Sequence, residues 1–243
     1  MKYPLLLMTL ILLTACAAVT PSPVTNPTSS FPAEEVISMQ TIRYLALGDS
    51  YTIGEMVDEH ERWPNQLAKL LENGNIQADV TIIARTGWTV QELWEGIQAS
   101  PPEGTYDMVS LLIGVNDQYR GYPVDDYRED FRFMLGKAIE YAGGDPKRVF
   151  VLSIPDWGVT PFAQGRDRGQ IAKDIDLFNT VNREETEKAG AYYLDITFDS
   201  RDAAKDQSLI ASDGLHPSSK MYAIWAEKTL PIALEILQVD KGE

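Results

Sequence analysis

Four short stretches of this sequence hold residue types that could together activate a hydroxyl and stabilise an oxyanion. Gly48-Asp49-Ser50 offers a serine hydroxyl, and Gly87 offers a backbone N–H with no side chain to obstruct it. Asn116, in Gly114-Val115-Asn116-Asp117, adds a side-chain amide. His216, in Asp213-Gly214-Leu215-His216-Pro217, adds an imidazole with a carboxylate three residues before it. A serine becomes a nucleophile when a base takes its proton, and the oxyanion that then forms needs donors. Asp213 is close enough in a tight loop to accept from Nδ1–H, which leaves Nε2 free for the serine proton.

Each stretch also has a plainer reading. Gly-Asp-Ser suits a turn and a helix cap, Gly87 suits turn geometry, Asn116 is a common turn former, and His216 could sit in a surface loop. The other histidine, His60 in Asp-Glu-His-Glu-Arg-Trp, reads as a solvated surface residue among charges. What separates the readings is where the surrounding elements place the four stretches.

Two periodicities alternate along the chain. Residues 41–47, 78–84, 106–113, 148–154 and 191–196 are short apolar runs rich in β-branched and aromatic residues, as expected of strands covered on both faces. Between them, Trp63, Leu67, Leu70 and Leu71 recur at helical spacing, as do Tyr127, Phe131, Met134, Leu135 and Ala138. Ile171, Ile175 and Phe178 begin another helix, and a last one closes the chain, with Pro217 suited to its start. Asp125 and Asp126 follow Pro123 in a helical first turn, where negative charge is favoured. Thr89 and Glu92 form a capping box, with Trp88 and Leu93 as its hydrophobic staple, so a helix begins near Val90 and Gly87 lies just before it. Five strands separated by helices predict a three-layer α/β/α sandwich on a parallel sheet. In such sheets ligands bind beyond the carboxyl ends of the strands. All four stretches fall there, and so does Asp195, a second carboxylate that could compete for His216.

The chain has 36 acidic and 21 basic residues and a formal net charge of −15. No basic stripe is present, which excludes nucleic acid as a partner and disfavours strongly anionic substrates. Lys2 precedes an apolar run from Leu5 to Leu13, too short to span a bilayer but of signal-peptide length. The run ends in Leu13-Thr14-Ala15-Cys16, which resembles a bacterial lipoprotein signal with Cys16 as the lipidated mature N-terminus. The organisation expected is a leader over 1–15, a Pro/Ser/Thr-rich tether over 16–40, and one domain over 41–243, anchored at the cell envelope. Cys16 is the single cysteine, so the chain forms no internal disulfide.

The four stretches, in this order and coarse spacing from about residue 42 to 237, resemble the SGNH (GDSL) hydrolase family. The resemblance implies a flavodoxin-like fold and a serine esterase mechanism. Ser50 would be the nucleophile, His216 the general base and then acid, and Asp213 the residue orienting His216. The Ser50 N–H, the Gly87 N–H and the Asn116 amide would form the oxyanion hole. No metal or organic cofactor is implied. Thr52, where an α/β-hydrolase elbow needs glycine, sets that fold aside. Asp49 and Asp117 are expected to tie their turns by accepting backbone hydrogen bonds. The loop after the fourth strand carries Trp157 and Phe162 over the same edge, where they could line an acyl or sugar pocket or pack the loop down. The expected substrates are short acyl esters, lysolipids or acetylated sugars. An O-acetylesterase, an acyltransferase and a non-catalytic binding lipoprotein are the alternatives.

Overall fold

The computed structural model describes Cys16 and residues 39–239. The leader and most of the tether expected from the sequence lie outside the described residues. Five strands form one parallel sheet: β1 (Gln40–Gly48), β2 (Ile76–Ala84), β3 (Met108–Leu112), β4 (Val149–Leu152) and β5 (Tyr192–Leu194). Their order is β2-β1-β3-β4-β5. The chain thus reverses direction across the sheet between β1 and β3, and an open sheet splays its connections apart at such a switch point. The register sharpens this, because Gly48 pairs with both Ala84 and Leu112, so β1, β2 and β3 end level with one another.

Helices cover both faces, since each parallel crossover must return over the sheet. On one face α2 (Trp63–Leu71) packs against α8 (Ser219–Val239); on the other α5 (Val124–Tyr141) packs against α3 (Val90–Ala99) and α6 (Arg168–Ala189). The helical periodicities read from the sequence face the core: Trp63, Leu67 and Leu71 of α2, all five of the α5 set, and Ile171, Ile175 and Phe178 are buried. The strands differ from expectation in a regular way. Central β3 and β4 are wholly buried, whereas the edge strands β2 and β5 are half-exposed and β5 shrinks to three residues. An edge strand has a neighbour on only one side, so its side chains are less covered. In length, central β3 and β4 fall short of their expected runs as β5 does, while edge strand β2 begins earlier, at Ile76. The final helix also starts later than Pro217. That residue instead bridges to Ile210, and Ser218 takes the helix entrance, its Oγ facing the Met221 N–H at 3.4 Å.

Three short helices stand at strand ends on the site's side: α1 (Ser50–Ile53) after β1, α4 (Val115–Tyr119) after β3, and α7 (Thr197–Ser200) after β5. Gly48 makes the first of these possible. A Cβ there would lie 2.2 Å from Thr52 Oγ1 and 2.4 Å from the Leu112 carbonyl, so only glycine lets the chain turn this tightly against β3.

Candidate active site

Ser50 is the first residue of the single-turn helix α1, so its N–H precedes any intrahelical partner and remains available. Asp49 caps that turn, Oδ1 accepting the Tyr51 N–H at 3.0 Å. Its carboxyl is fully buried and Oδ2 has no partner among the described residues. Burial pushes Asp49 up to about 8, against the pull of the Tyr51 N–H and with a further push from Asp117. Asp49 is therefore largely protonated at neutral pH, and no fixed charge sits beneath Ser50.

The loop from Arg85 to Thr89 lies across from Ser50 and is held at several points. Gly87 has φ +87° and open space where a Cβ would be, so its left-handed backbone, rather than crowding, calls for glycine. Its carbonyl accepts from Arg120 Nη2 at 2.6 Å, and the Trp88 carbonyl accepts from Asn116 Nδ2 at 2.9 Å. The Asp117 carboxylate accepts the Val90 N–H at 3.2 Å. Thr86 Oγ1 donates to Glu55, just beyond α1. The capping box of α3 is present, and Glu92 carries it further by pairing with Arg120 at 3.0 Å. The Thr89 N–H, with Arg120, holds Glu92 below the usual carboxylate range in spite of partial burial. One of the two Asn116 amide hydrogens is spent on Trp88 and the second is left over. The Trp88 ring lies over Gly96, where a Cβ would meet it at 2.1 Å.

His216 is buried, with 8 % of its surface exposed. Its Nδ1 lies 2.5 Å from Asp213 Oδ2, while Asp213 Oδ1 accepts the Leu215 and His216 N–H groups at 2.9 and 3.0 Å. Burial alone would raise the Asp213 pKa, but the imidazole and the two N–H groups together bring it below the usual range. A carboxylate on Nδ1 fixes the proton there and turns Nε2 outward as an acceptor. The Tyr51 ring packs edge-on to the imidazole with centroids 5.9 Å apart. Asp195, the rival acid, is engaged elsewhere: it meets Arg183 Nη2 at 3.0 Å, the Thr197 N–H at 3.0 Å and Ser153 Oγ at 3.3 Å. His60 is exposed, as expected.

A cavity of about 170 Å³ is lined by Ser50, Gly87, Asn116 and His216, with Tyr119, Trp157 and Phe162 among its other walls. Six of the eight residues singled out from the sequence thus meet the seventh, Ser50, at one cavity or, for Asp213, through His216; Cys16 is exposed and belongs to the chain's start. No hydrogen bond joins Ser50 to His216 among the described residues, a contact that commonly tightens only when substrate binds. Trp157 does both things allowed to it: it is buried, its Nε1 donating to Gln118 Oε1 at 2.8 Å, and it still walls the cavity. Phe162 is 41 % exposed at the rim.

Sequence reasoning passed over Tyr51, Tyr119 and Arg120. A usable signal existed for Arg120, which follows Asn116 by four residues and so shares its side of the helical turn. Among the described residues no three His, Cys, Asp or Glu side chains gather in a metal-binding cluster.

The solved structures most like this one include the crystal structure of TesA, with a TM-score of 0.62 at 20% identity over 80% of this chain and 99% of that one. The acetylxylan esterase Axe2 from Geobacillus stearothermophilus gives 0.63 at 18% identity, over 81% of this chain and 96% of that one. The psychrotrophic esterase EstA from Pseudoalteromonas sp. gives 0.54 at 17% identity, over 82% and 97%. Identities this low establish a shared fold. No curated protein sequence matches the chain. The model of the GDSL-like lipase/acylhydrolase family matches residues 46–224, a span that holds every residue lining the cavity and most of the chain. The chain therefore belongs to the GDSL-like lipase/acylhydrolase family.

Proposed function

We propose that this protein is a serine hydrolase of carboxylic esters, with Ser50, His216 and Asp213 as its triad. The observation that carries the reading is the one cavity onto which Ser50, Gly87, Asn116 and His216 all open, from the ends of different strands. Ser50 Oγ adds to the ester carbonyl carbon while His216 Nε2 takes the hydroxyl proton. The carbonyl oxygen becomes an oxyanion and meets the Ser50 N–H, the Gly87 N–H and the spare Asn116 amide hydrogen. Collapse of this intermediate breaks the C–O bond, His216 hands its proton to the departing alcohol, and an acyl-Ser50 remains. Water then repeats the sequence and releases the acid. Asp213 holds the imidazole with Nε2 toward the serine throughout. In the full chain, Ser50→Ala abolishes both p-nitrophenyl acetate turnover and labelling by a fluorophosphonate probe. Turnover retained in that variant overturns the assignment, and a wild type that the probe fails to label returns the protein to a non-catalytic binding role.

The cavity is smaller than the roughly 300–1,000 Å³ of sites for drug-sized ligands, which favours short acyl groups. Exposed Tyr119 and Phe162 beside it favour a flat, partly apolar alcohol such as a sugar ring, so acetylated sugars are the substrates preferred over lysolipids. An acyltransferase would use the same groups and pass the acyl unit to a sugar hydroxyl; product analysis with and without a sugar acceptor separates the two. Residues 1–15 are the proposed leader, and Cys16 the lipidated residue that tethers the enzyme to the cell envelope. Cys16→Ser should move the protein from the membrane fraction to the soluble one, and an unchanged distribution removes the anchor.

A further inference from the structure

We infer that Arg166, at the rim of the cavity, makes this enzyme prefer esters that carry a carboxylate away from the bond being cleaved. The inference rests on the ester-hydrolase reading above and adds to it the charge of the substrate. Tyr119, Trp157 and Phe162 touch one another, with ring centroids 5.4, 6.0 and 6.2 Å apart, and all three wall the cavity that holds Ser50. The Arg166 guanidinium lies against the same three rings, its Cζ 5.1 Å from the Tyr119 centroid and 5.3 Å from the other two. Its Nη2 donates to Tyr119 Oη at 2.9 Å.

Two features leave this arginine available to a ligand. Arg120, Arg128, Arg132, Arg183 and Arg201 each pair with a carboxylate. Arg166 is exposed and forms no ion pair among the described residues, in a chain where acids outnumber bases 36 to 21. Its neighbour Asp167 turns to cap α6 instead, accepting the Gln170 N–H at 2.9 Å. The remaining guanidinium N–H groups are thus open to a ligand.

Stacking also lowers the cost of binding. A guanidinium already held among three aromatic rings and bonded to Tyr119 has less freedom left to lose, and its fork matches a carboxylate bidentately. The segment beneath it is pinned as well: the Phe162 N–H donates to the Gly214 carbonyl at 2.9 Å, and Arg168 Nη2 to the Thr160 carbonyl at 3.1 Å. The rim and the loop bearing His216 are therefore one unit. The overall negative charge does not oppose this, because at physiological ionic strength exposed charges beyond about 8 Å are largely screened. Arg166 stacks on the aromatic walls and is not itself a wall, which places the carboxylate at the far end of the substrate.

The test compares 4-acetoxybenzoate with 4-acetoxybenzamide, two acetyl esters that differ in one charge. The ratio of their kcat/KM values is measured in wild type, Arg166→Gln and Arg166→Lys, so that differences in leaving group cancel between proteins. The ratio should fall about two- to fivefold in Arg166→Gln, the loss expected of a charge-assisted pair at an exposed site, and less in Arg166→Lys. In wild type, raising the salt concentration should slow the benzoate ester and spare the benzamide, a readout that needs no variant to fold. A ratio unchanged in Arg166→Gln, or equal losses on both esters, overturns the proposal and leaves Arg166 as a prop for the rings. Failure of wild type to cleave either ester instead overturns the hydrolase reading on which it rests.

Discussion

Asp213 and Asp195 are two carboxylates at the same edge of one sheet, and their surroundings assign them opposite tasks. Asp195 follows directly on the last strand and spends its oxygens on Arg183, Thr197 and Ser153, which fixes the turn into α7. Asp213 lies in a loop eighteen residues later and divides its oxygens: one binds two N–H groups that shape the loop, and the other faces the imidazole. Position at the catalytic edge is thus a weak guide to role. What an oxygen has left after satisfying its own backbone decides whether it can serve a neighbour.

The sharpest way to break this contrast is to neutralise each acid. Asp213→Asn should lower kcat on the order of 10³- to 10⁴-fold by presenting the wrong histidine tautomer, while Asp195→Asn should cost less than about tenfold. Steady-state kinetics on p-nitrophenyl acetate decides, and the reverse order would reassign the acid. Asn116 and Arg120, one turn apart, repeat the contrast at the oxyanion side. Asn116→Ala should cost roughly 10²- to 10³-fold in kcat, because its amide would meet the oxyanion itself. Arg120→Met should cost only about tenfold, mostly in kcat, since it acts through the Gly87 carbonyl. A weaker binding of a boronic acid inhibitor in parallel with kcat would mark Arg120 as a positioning residue; loss of KM alone would not.

Asp49 extends the comparison to stability. Its folded pKa is raised above the unfolded value near 4, so the fold is most stable with respect to this group below about pH 4. That stability is lost as pH rises toward its folded value of about 8. At about 1.4 kcal/mol per pKa unit, the loss across this window is on the order of a few kcal/mol. Asp49→Asn should flatten the decline between pH 5 and 8.5 in urea unfolding; parallel slopes in the two proteins would show that the carboxyl ionises freely.

Much of the site was legible because it obeys local rules. Turn chemistry marked Gly48-Asp49-Ser50, the capping box located Gly87, and a three-residue spacing joined Asp213 to His216. Periodicity also placed the helices and the central strands. Strand ends were blurred, at the centre as at the edge, since runs like 106–113, 148–154 and 191–196 look the same whether or not a neighbouring strand holds their ends. What escaped were contacts closed only by tertiary folding. Arg120 reaches Gly87 across 33 positions, Arg166 reaches Tyr119 across 47, and Trp157 finds Gln118 across 39. Spacing sets Arg120 beside Asn116, but nothing local in the sequence announces the distant partner that any of these residues reaches.

The pairing of α2 with α8 has a consequence for the order in which function arrives. Gln66 Nε2 reaches the Ser219 carbonyl, 153 positions away, at 3.1 Å, and the Tyr51 ring touches both Trp225 of α8 and His216. During synthesis Ser50, Gly87 and Asn116 emerge first, ahead of His216, the base proposed for them. Closing so long a loop is a late and slow event in folding. A nascent or clipped chain without His216 would thus lack the proposed base, so that in this reading hydrolytic activity reports that the last helix has docked.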